Sequence, residues 1–406
     1  MPAYARRDLV DDDRIGVYHC IARCVRRAFL CGTDSYTGQD YSHRKAWVLD
    51  RLRQLAGLFG VEVCGYAVMS NHLHIVLRNR PDVARQWSDL EVALRWRKLF
   101  PQRDELTGEP REPDCHDLAA LTADGERLAI LRSRLASLSW FMRCLCEWVA
   151  RKSNHEEGSF GRFWAGRFKS QPLLDEAALL ACSVYVDLNP VRAGIAATPE
   201  ESQFTSGFDR IRDLAEQLAA SPSTEQEIGI DACGSPVPWL CELTLRETDV
   251  VPGTSRTERS LSSPQEAAPA AEPTHSAHHE LEACPALLAS GDAPPLRVRV
   301  LPPSPARLRP RASDQGFLPI ESRKYIMLLD WTGREIREHK SGAIPDHLAP
   351  ILDRLGLERS HWVQTVREFG RMFKQAAGRA SSLASAAPGR SRRWFQGKAA
   401  AQAAFV

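Results

Sequence analysis

Short runs in which apolar and polar residues alternate predict four β-strands in the first half of the chain. The first covers Val17 to Val25. Two more, Val61 to Met69 and His72 to Arg78, are separated only by a tight turn, which predicts an antiparallel pair. The fourth strand ends the segment Phe163 to Leu173, after a loop that contains Gly166.

Apolar residues at helical spacing predict helices between and after these strands. One helix covers Ser42 to Phe59, with Ser42 as the N-cap and Gly60 after its end. A long helix runs from Asp124 to about Lys152, and another from Asp175 to Asp187. Strand, helix, strand, strand, helix, strand is the order of a split βαβ fold. The predicted class is therefore α+β, a ferredoxin-like antiparallel sheet followed by one further helix.

The remaining segments suggest how the chain divides into domains. The first domain is expected over residues 1–215, with a charged insertion at about 81–122, and a helical extension over 216–248. Residues 249–314 are rich in Pro, Ala, Ser and Glu, so little apolar area offsets the entropy of ordering, and a disordered linker is predicted. Residues 315–406 are expected to form a small, mainly helical C-terminal module.

Composition limits the classes of protein without selecting one. An apolar fraction of 43% supports sizeable cores, and a net charge of only +2 leaves nucleic-acid binding to local arginine clusters. The 11 cysteines lack zinc-finger spacing and fit free thiols in a reducing cytosol. The N-terminus lacks a signal-peptide core, and no apolar run is long enough to span a bilayer. A cytoplasmic protein without a membrane partner is expected.

The strand that begins with His72-Leu73-His74 carries the first candidate site. Successive side chains of a strand point to opposite faces, so His72 and His74 share one face, while Leu73, Ile75 and Leu77 can be buried on the other. Two imidazoles on one rigid face are half of a metal site. The same spacing alone also fits a surface pair or two hydrogen-bonded histidines. His19, on the first strand, is expected to be a structural or hydrogen-bonding histidine.

The second candidate site lies at the end of the helix that contains Tyr185. Tyr185 and Asn189 are four residues apart and share a helical face. Tyrosine at such a position often only packs in a core. Together with the histidine pair, however, two imidazoles and one amide oxygen leave several coordination positions open, which suits Mn²⁺ or Mg²⁺ better than a closed zinc site. A tyrosine hydroxyl one turn from such a ligand is placed to attack a metal-bound phosphodiester.

These motifs together resemble those of a known family. The segments Tyr66 to His74, Gly161 to Lys169 and Tyr185 to Gly194 are similar to the single-tyrosine transposases of the HUH endonuclease superfamily, which have the insertion-sequence-200-like fold. Within that group they most resemble the REP-associated tyrosine transposases. The resemblance covers about Tyr18 to Arg212, roughly half of the chain. The insertion and the long tail depart from the compact members of the family.

The resemblance implies a transposase that cleaves and rejoins single-stranded DNA through a 5′-phosphotyrosine intermediate. It implies that His72 and His74 hold Mg²⁺ or Mn²⁺, that Asn189 is a third ligand and that Tyr185 is the nucleophile. Single-stranded or hairpin DNA is the expected partner, the expected location is cytoplasmic and nucleoid-associated, and a homodimer is an open alternative to a monomer. A second hypothesis is a domesticated relative that binds hairpin DNA without cutting it. A third, a protein-interaction scaffold, predicts that the histidines and the tyrosine lie far apart.

Basic residues near both motifs are the candidate DNA-binding residues. They are Arg23, Arg26, Arg27, Arg162, Arg167, Lys169 and Arg192. Because Phe163, Trp164 and Phe168 are interleaved with them, they resemble phosphate contacts beside base-stacking platforms. Solvated surface charge around core aromatic residues fits the same pattern. The basic and aromatic tail from Arg390 to Phe395 is the rival position for a DNA contact.

Overall fold

The fold is built around one antiparallel sheet with helices on both faces. The computed structural model describes residues 9–25, 30–34, 37–220, 239–243, 316–338, 352, 357, 359–388 and 395–405. In chain order the elements are β1 (Gly16–Arg23), α1 (Arg44–Leu58), β2 (Val61–Val68), β3 (His72–Asn79), α2 (Pro81–Gln86), α3 (Asp89–Leu99), β4 (Gln102–Arg103), β5 (Pro110–Arg111), α4 (Cys115–Thr122), α5 (Gly125–Ala136), α6 (Leu138–Glu156), β6 (Lys169–Leu173), α7 (Glu176–Asp187), α8 (Asn189–Arg192), α9 (Ser206–Ala220), α10 (Ser322–Glu338), α11 (Arg359–Met372), α12 (Ala380–Ala386) and α13 (Lys398–Ala404). The predicted linker at 249–314, most of the extension at 216–248, and Arg26 and Arg27 lie outside the described residues.

The order of strands in the sheet is β2-β3-β1-β6, and each neighbouring pair is antiparallel. Helix α1 joins β1 to β2, and β3 lies between those two strands, which is a split βαβ arrangement. The predicted α+β class and antiparallel sheet are thus confirmed. The register places Ile21 opposite His74 and Arg23 opposite His72. His19 pairs with Val76 on one side and with Gln171 on the other.

The two faces of the sheet bury different cores. On one face, Tyr18, Leu73, Ile75 and Leu77 join a cluster formed mainly with α1, α3, α5 and α6. On the other face, Ala67, Val76 and Leu173 join α7 and the C-terminal helices. This second core joins the middle of the chain to its C-terminal part, through residues that include Val184, Leu328, Trp362, Phe369 and Phe405. The predicted burial of Leu73, Ile75 and Leu77 on the face opposite the histidines is confirmed.

The segment predicted as a single helix from Asp124 to Lys152 forms two helices instead. Ser137, between α5 and α6, has extended backbone angles (φ −89°, ψ 125°). The reason is a long-range contact: the carboxylate of Asp12 accepts hydrogen bonds from the Ser137 hydroxyl (3.1 Å) and from the Leu138 backbone N–H (3.3 Å). Asp12 therefore serves as the N-terminal cap of α6 from a distant part of the chain, and no local pattern reveals this.

The predicted charged insertion at 81–122 is folded. It contains α2, α3 and α4 together with the short β4–β5 hairpin. Helix α3 begins with a capping box between Ser88 and Glu91, and α4 with another between Asp114 and Asp117. Val92 and Leu121 belong to the α1-side core, so the segment extends that core.

The described C-terminal residues belong to the same compact unit as the sheet. Residue Ala377 connects to the edge strand through the bonds Ala377 N–H to Pro172 O (2.9 Å) and Leu174 N–H to Ala377 O (2.8 Å). The buried carboxylate of Asp187 receives hydrogen bonds from the Tyr325 hydroxyl (2.6 Å), the Gly207 backbone N–H (2.8 Å) and the Ser206 hydroxyl. A buried carboxylate is tolerated only when it is hydrogen-bonded in this way. Helices α7, α9 and α10 are thereby joined at one point.

We predict that Tyr325→Phe destabilises the whole unit by about 1.5–3 kcal/mol, the usual contribution of a hydrogen bond to a charged group. The phenol bond to Asp187 is lost while the ring still packs. Urea unfolding followed by circular dichroism should show one transition at a lower midpoint. The exposed Lys324→Ala on the same helix is the control and should shift the midpoint little. A separate early transition in Tyr325→Phe would show that the C-terminal helices fold independently of the sheet.

Candidate active site

Three histidines lie together on the face of the sheet that α7 covers. The ring centroids of His72 and His74 are 4.8 Å apart, and those of His19 and His74 are 5.1 Å apart and stacked. His19 reaches His74 because the β1–β3 register brings position 19 opposite position 76, one side-chain repeat along the same face. His19 and His74 are almost completely buried, whereas His72, at the start of β3, is partly exposed.

Tyr185 lies against the same histidines. Its ring centroid is 5.5 Å from that of His74 and 5.9 Å from that of His19, with edge-to-face geometry in both cases. Helix α7 is set in place by Asp175, whose side chain caps it by accepting from the Ala178 N–H (2.9 Å). The hypothesis of a protein-interaction scaffold predicts that the histidines and Tyr185 lie far apart. These contacts contradict that prediction.

The hydroxyl of Tyr185 is covered by α11. Only 8% of the residue is exposed, and its ring packs on that of Phe369 with centroids 5.5 Å apart. A Cβ atom placed on Gly370 would lie 2.8 Å from the Tyr185 hydroxyl oxygen, so only glycine leaves room for it there. The hydroxyl that the sequence places for attack on a phosphodiester is thus covered by α11.

Burial keeps the three imidazoles neutral. Burial lowers the pKa of His19 from 6.5 to about 4. Burial and the positive charge of Arg23 lower the pKa of His72 to about 4. Burial also lowers the pKa of His74 well below its usual value, with smaller contributions from His19, His72 and Arg192. Neutral imidazole is the form that binds metal ions.

A chain of hydrogen bonds connects His74 to the C-terminal segment. The Nδ1 atom of His74 lies 2.9 Å from Nε2 of His19, and Nδ1 of His19 lies 3.3 Å from Oε1 of Gln171. The Nε2 amide of Gln171 donates to the backbone carbonyl of Phe373 (2.5 Å). His72 has a separate partner, because its Nδ1 lies 2.6 Å from Oδ1 of Asn71. In the described part of the chain, nothing is hydrogen-bonded to Nε2 of His72 or of His74.

Asn189 is buried and lies just after α7. Helix α7 ends at Asp187, and Asn189 begins the short helix α8 after Leu188. The amide nitrogen of Asn189 points back toward the Tyr185 backbone carbonyl, at 3.5 Å. This contact keeps the Asn189 amide one helical turn from Tyr185, and its role as a metal ligand stays a prediction. Among the described residues, no cluster of three or more His, Cys, Asp or Glu side chains is arranged to hold a metal ion.

The candidate DNA-binding residues separate into two groups. Arg23, Arg162, Arg167 and Lys169 are exposed. They lie at one end of the sheet, where the loop before β6 runs beside the end of β1 through the bonds Ala165 N–H to Arg23 O (2.8 Å) and Val25 N–H to Phe163 O (3.0 Å). His72 begins β3 at this same end, opposite Arg23. These four residues are called the basic edge below.

Arg192 has a different environment from the basic edge. Its guanidinium carbon lies 4.6 Å from the centre of the Tyr185 ring, and Nη2 donates to the Arg367 carbonyl (2.5 Å). The residue is only partly exposed. Arg192 therefore supports the contact between α8, Tyr185 and α11, and its role as a phosphate contact stays a prediction.

The three aromatic residues expected to stack on bases instead pack in the α1-side core. Phe163 is buried, Trp164 donates its indole N–H to the Cys146 carbonyl (2.7 Å), and Phe168 is half-buried against the same cluster. The aromatic side chain exposed at this end is Phe160, which is fully accessible to solvent. Its loop is closed at the base by the Asn154 side-chain amide, which donates to the Gly161 carbonyl (3.0 Å). Gly161, at φ 140°, adopts a backbone conformation that favours glycine.

Several residues of the site were not singled out from the sequence. Gln171, Phe369, Gly370 and Phe373 contact the histidines or Tyr185, directly or through one another. Gln171 follows the polar residues Lys169 and Ser170, so the local sequence does not single it out. The other three lie about 185 residues after Tyr185 in a helix with ordinary apolar spacing, so no sequence pattern connects them to the site.

Comparisons with known proteins give one structural similarity. No family model matches the chain, and no curated protein matches it. A solved structure described as the REP-associated tyrosine transposase bound to a REP hairpin aligns with 58% of this chain and 98% of its own, at 14% identity and a TM-score of 0.30. Within the described residues, no helix is both long and apolar enough to cross a membrane.

We predict that Gly370→Ala destabilises the protein by about 1–3 kcal/mol, the usual cost of overpacking, because the new methyl group meets the Tyr185 hydroxyl. Elsewhere in a helix the same change stabilises by about 1 kcal/mol. In a Tyr185→Phe background the hydroxyl is absent, so Gly370→Ala should then be neutral or stabilising. Urea midpoints of the four proteins in this double-mutant cycle give the coupling. Equal effects of Gly370→Ala in both backgrounds would contradict the contact.

We also predict that stability falls as the pH is lowered from about 6.5 to about 4. The pKa of His19 in the folded protein, about 4, is below its unfolded value of 6.5. In this interval the unfolded state binds more protons, so protonation favours unfolding, by no more than about 3 kcal/mol for this residue. Urea midpoints across this pH range should fall less steeply for His19→Gln than for the unchanged protein. Parallel curves would contradict the prediction.

Proposed function

We propose that the protein is a metal-dependent DNA strand transferase that cleaves and rejoins single-stranded DNA with Tyr185 as its nucleophile. The observation that carries this proposal is the convergence of Tyr185 with His74, whose ring centroids are 5.5 Å apart although the residues are separated by more than 100 positions in sequence. The motifs that led to the resemblance with single-tyrosine transposases supply both residues. A core packing role alone gives no reason to bury two neutral histidines against one tyrosine.

His72 and His74 suit a divalent ion of the Mg²⁺ or Mn²⁺ type. Both imidazoles are neutral, adjacent and have Nε2 free of hydrogen bonds to other described residues. Two protein ligands leave several positions for water and phosphate oxygens, as is usual for ions that work on phosphodiesters. When bound, such an ion neutralises charge on the scissile phosphate. Asn189, whose amide nitrogen lies 3.5 Å from the Tyr185 carbonyl, is the proposed third ligand through its amide oxygen.

Tyr185 supplies the nucleophilic oxygen. The Tyr185 hydroxyl loses its proton as its oxygen attacks the phosphorus and forms an O–P bond. The bond from phosphorus to the 3′ oxygen breaks, and that oxygen takes up a proton and leaves as a free 3′ hydroxyl. The phosphodiester energy is kept in the 5′-phosphotyrosine, so rejoining by the reverse reaction needs no nucleotide cofactor. Phe369 and the Arg192 guanidinium both contact the phenol ring, which restricts its direction relative to His74.

The basic edge is the proposed path of the DNA strand. Its four exposed cations lie beside His72, where backbone phosphates can approach the histidine pair. Phe160, at the tip of the neighbouring loop, offers an exposed ring on which an unpaired base can stack. The loop is carried by the end of α6, where the buried Arg44 binds Glu156 (2.6 Å) and Glu157 (2.7 Å). Residues 389–394 of the rival basic tail lie outside the described residues.

One observation favours the second candidate, a protein that binds hairpin DNA without cutting it. The hydroxyl of Tyr185 is covered by Gly370 of α11 and is poorly accessible. Binding through the basic edge needs no access to that hydroxyl, whereas cleavage does. The two candidates thus share a DNA surface and differ in whether Tyr185 reacts.

We predict that incubation with labelled single-stranded hairpin DNA and Mn²⁺ gives a covalent protein–DNA adduct that Tyr185→Phe abolishes. Tyr185→Phe removes only the attacking oxygen, so DNA binding should persist. His72→Ala should reduce the adduct by at least tenfold, since loss of one of two ligands weakens binding of the metal ion. Denaturing gels measure the adduct and gel shifts measure binding. Hairpin binding without any adduct from the unchanged protein would select the non-cleaving candidate, and an undiminished adduct in Tyr185→Phe would exclude Tyr185 as nucleophile.

We predict that the charged residues and the aromatic ring of this surface contribute to DNA affinity with different salt dependence. Arg167→Ala combined with Lys169→Ala should weaken binding to single strands of any sequence and flatten the plot of log affinity against log salt by about 1.4, at about 0.7 per phosphate contact. Phe160→Leu should weaken binding by about 1–3 kcal/mol without changing that slope. Fluorescence anisotropy at several salt concentrations gives both values, with the exposed Leu106→Ala as control. If neither change affects binding, the strand does not follow the basic edge.

A further inference from the structure

We infer that the backbone carbonyl of Phe373, acting through Gln171 and His19, fixes His74 in the tautomer that carries its proton on Nδ1 and leaves Nε2 free to bind a metal ion. This inference rests on the metal site of the proposed function. It adds two positioning residues, Gln171 and His19. It also means that Phe373, from the C-terminal part of the chain, controls the tautomer of His74.

The chain of bonds has a fixed direction because it ends on a group that can only accept. The Phe373 carbonyl has no proton to donate, so the side-chain atom of Gln171 that lies 2.5 Å from it must be the amide nitrogen. The opposite orientation would place two carbonyl oxygens in contact. Oε1 of Gln171 therefore faces His19, and it too can only accept.

The proton on each imidazole follows from that direction. Nδ1 of His19, 3.3 Å from Gln171 Oε1, must carry a hydrogen to make a bond. A neutral imidazole has one N–H, so Nε2 of His19 is then the acceptor. The bond of 2.9 Å between Nε2 of His19 and Nδ1 of His74 requires the proton to be on His74. Nε2 of His74 is left with its lone pair.

Burial makes this assignment effective. Gln171, His19 and His74 are each 5% exposed or less, so water has little access to replace a missing partner. His72 provides the contrast: its Nδ1 partner, Asn71, is exposed and can rotate its amide to suit either tautomer. The structure thus fixes the tautomer of one histidine and leaves that of the other adjustable. Outer partners of metal-binding histidines commonly act in this way.

The test compares variants that interrupt the series of hydrogen bonds from Phe373 to His74 with variants that keep it. Gln171→Met removes the amide oxygen and the amide nitrogen while keeping a side chain of similar size. His19→Phe removes the nitrogen that accepts from His74. His19→Gln is the conservative variant, because its side-chain carbonyl can accept from His74 in place of Nε2. Ser170→Ala is the matched control: Ser170 is the preceding residue on the same strand, is buried on the opposite face, and its hydroxyl has no hydrogen-bond partner among the described residues.

Two measurements are made on each full-length protein. Nitrogen-15 spectra of metal-free protein labelled at histidine report which nitrogen of His74 is protonated, and calorimetric titration with Mn²⁺ reports affinity. We expect the unchanged protein, Ser170→Ala and His19→Gln to show a single Nδ1–H tautomer. Gln171→Met and His19→Phe should show mixed tautomers and Mn²⁺ binding weakened by about 10–100-fold. Circular dichroism identifies any unfolded variant. If Gln171→Met or His19→Phe is unfolded, the other of the two is used in the comparison.

The outcomes separate this inference from the proposed function. A proton on Nε2 of His74 in the unchanged protein would overturn the inference. A folded Gln171→Met or His19→Phe with an unchanged tautomer would do the same. The expected tautomers in a protein that binds no Mn²⁺ would support the hydrogen-bond chain and would overturn the metal site itself.

Discussion

The packing of α11 onto α7 and the histidine-bearing face of the sheet is the contact on which the rest of the site depends. It buries His19, His74 and Gln171, whose polar atoms must then find partners within the protein because water is excluded. The Phe373 carbonyl at the end of α11 is one of those partners, and Gly370 and Phe369 form the surface on which Tyr185 lies. Removal of this helix would therefore expose the tyrosine and also leave the histidine chain without its terminal acceptor.

The same contact has two opposite effects on strand cleavage, because it orients the phenol of Tyr185 and also blocks access to its hydroxyl. A rigid cover orients the phenol and excludes water, both of which favour a positioned nucleophile. It also hides the hydroxyl from a phosphodiester. Strand cleavage needs this hydroxyl to be reached, while hairpin binding through the basic edge does not, since Arg23, Arg167 and Lys169 are exposed independently of α11. The choice between a cleaving and a non-cleaving protein is thus a question about one helix–helix contact.

The basic edge illustrates why local charge matters more than total charge here. With a net charge of +2, the chain as a whole has little attraction for DNA. The fold concentrates four cations from β1, the loop before β6 and the start of β6 beside the histidine pair. Two other predicted contacts behave differently, because Arg192 is held against Tyr185 and the aromatic residues of the loop belong to the core. Charge and aromatic content in a sequence cannot distinguish these environments.

The sequence by itself determined the α+β class, the four strands, and the common face of His72 and His74, because these follow from periodicity within about ten residues. It also marked the end of α7 near Asn189-Pro190. Contacts between distant parts of the chain decided what remained. Asp12 divides the long helix at Ser137, the β1–β3 register joins His19 to His74, and α11 covers Tyr185 from about 185 residues away. Local patterns carry no information about such pairings, since they depend on which surfaces pack together once the elements have formed.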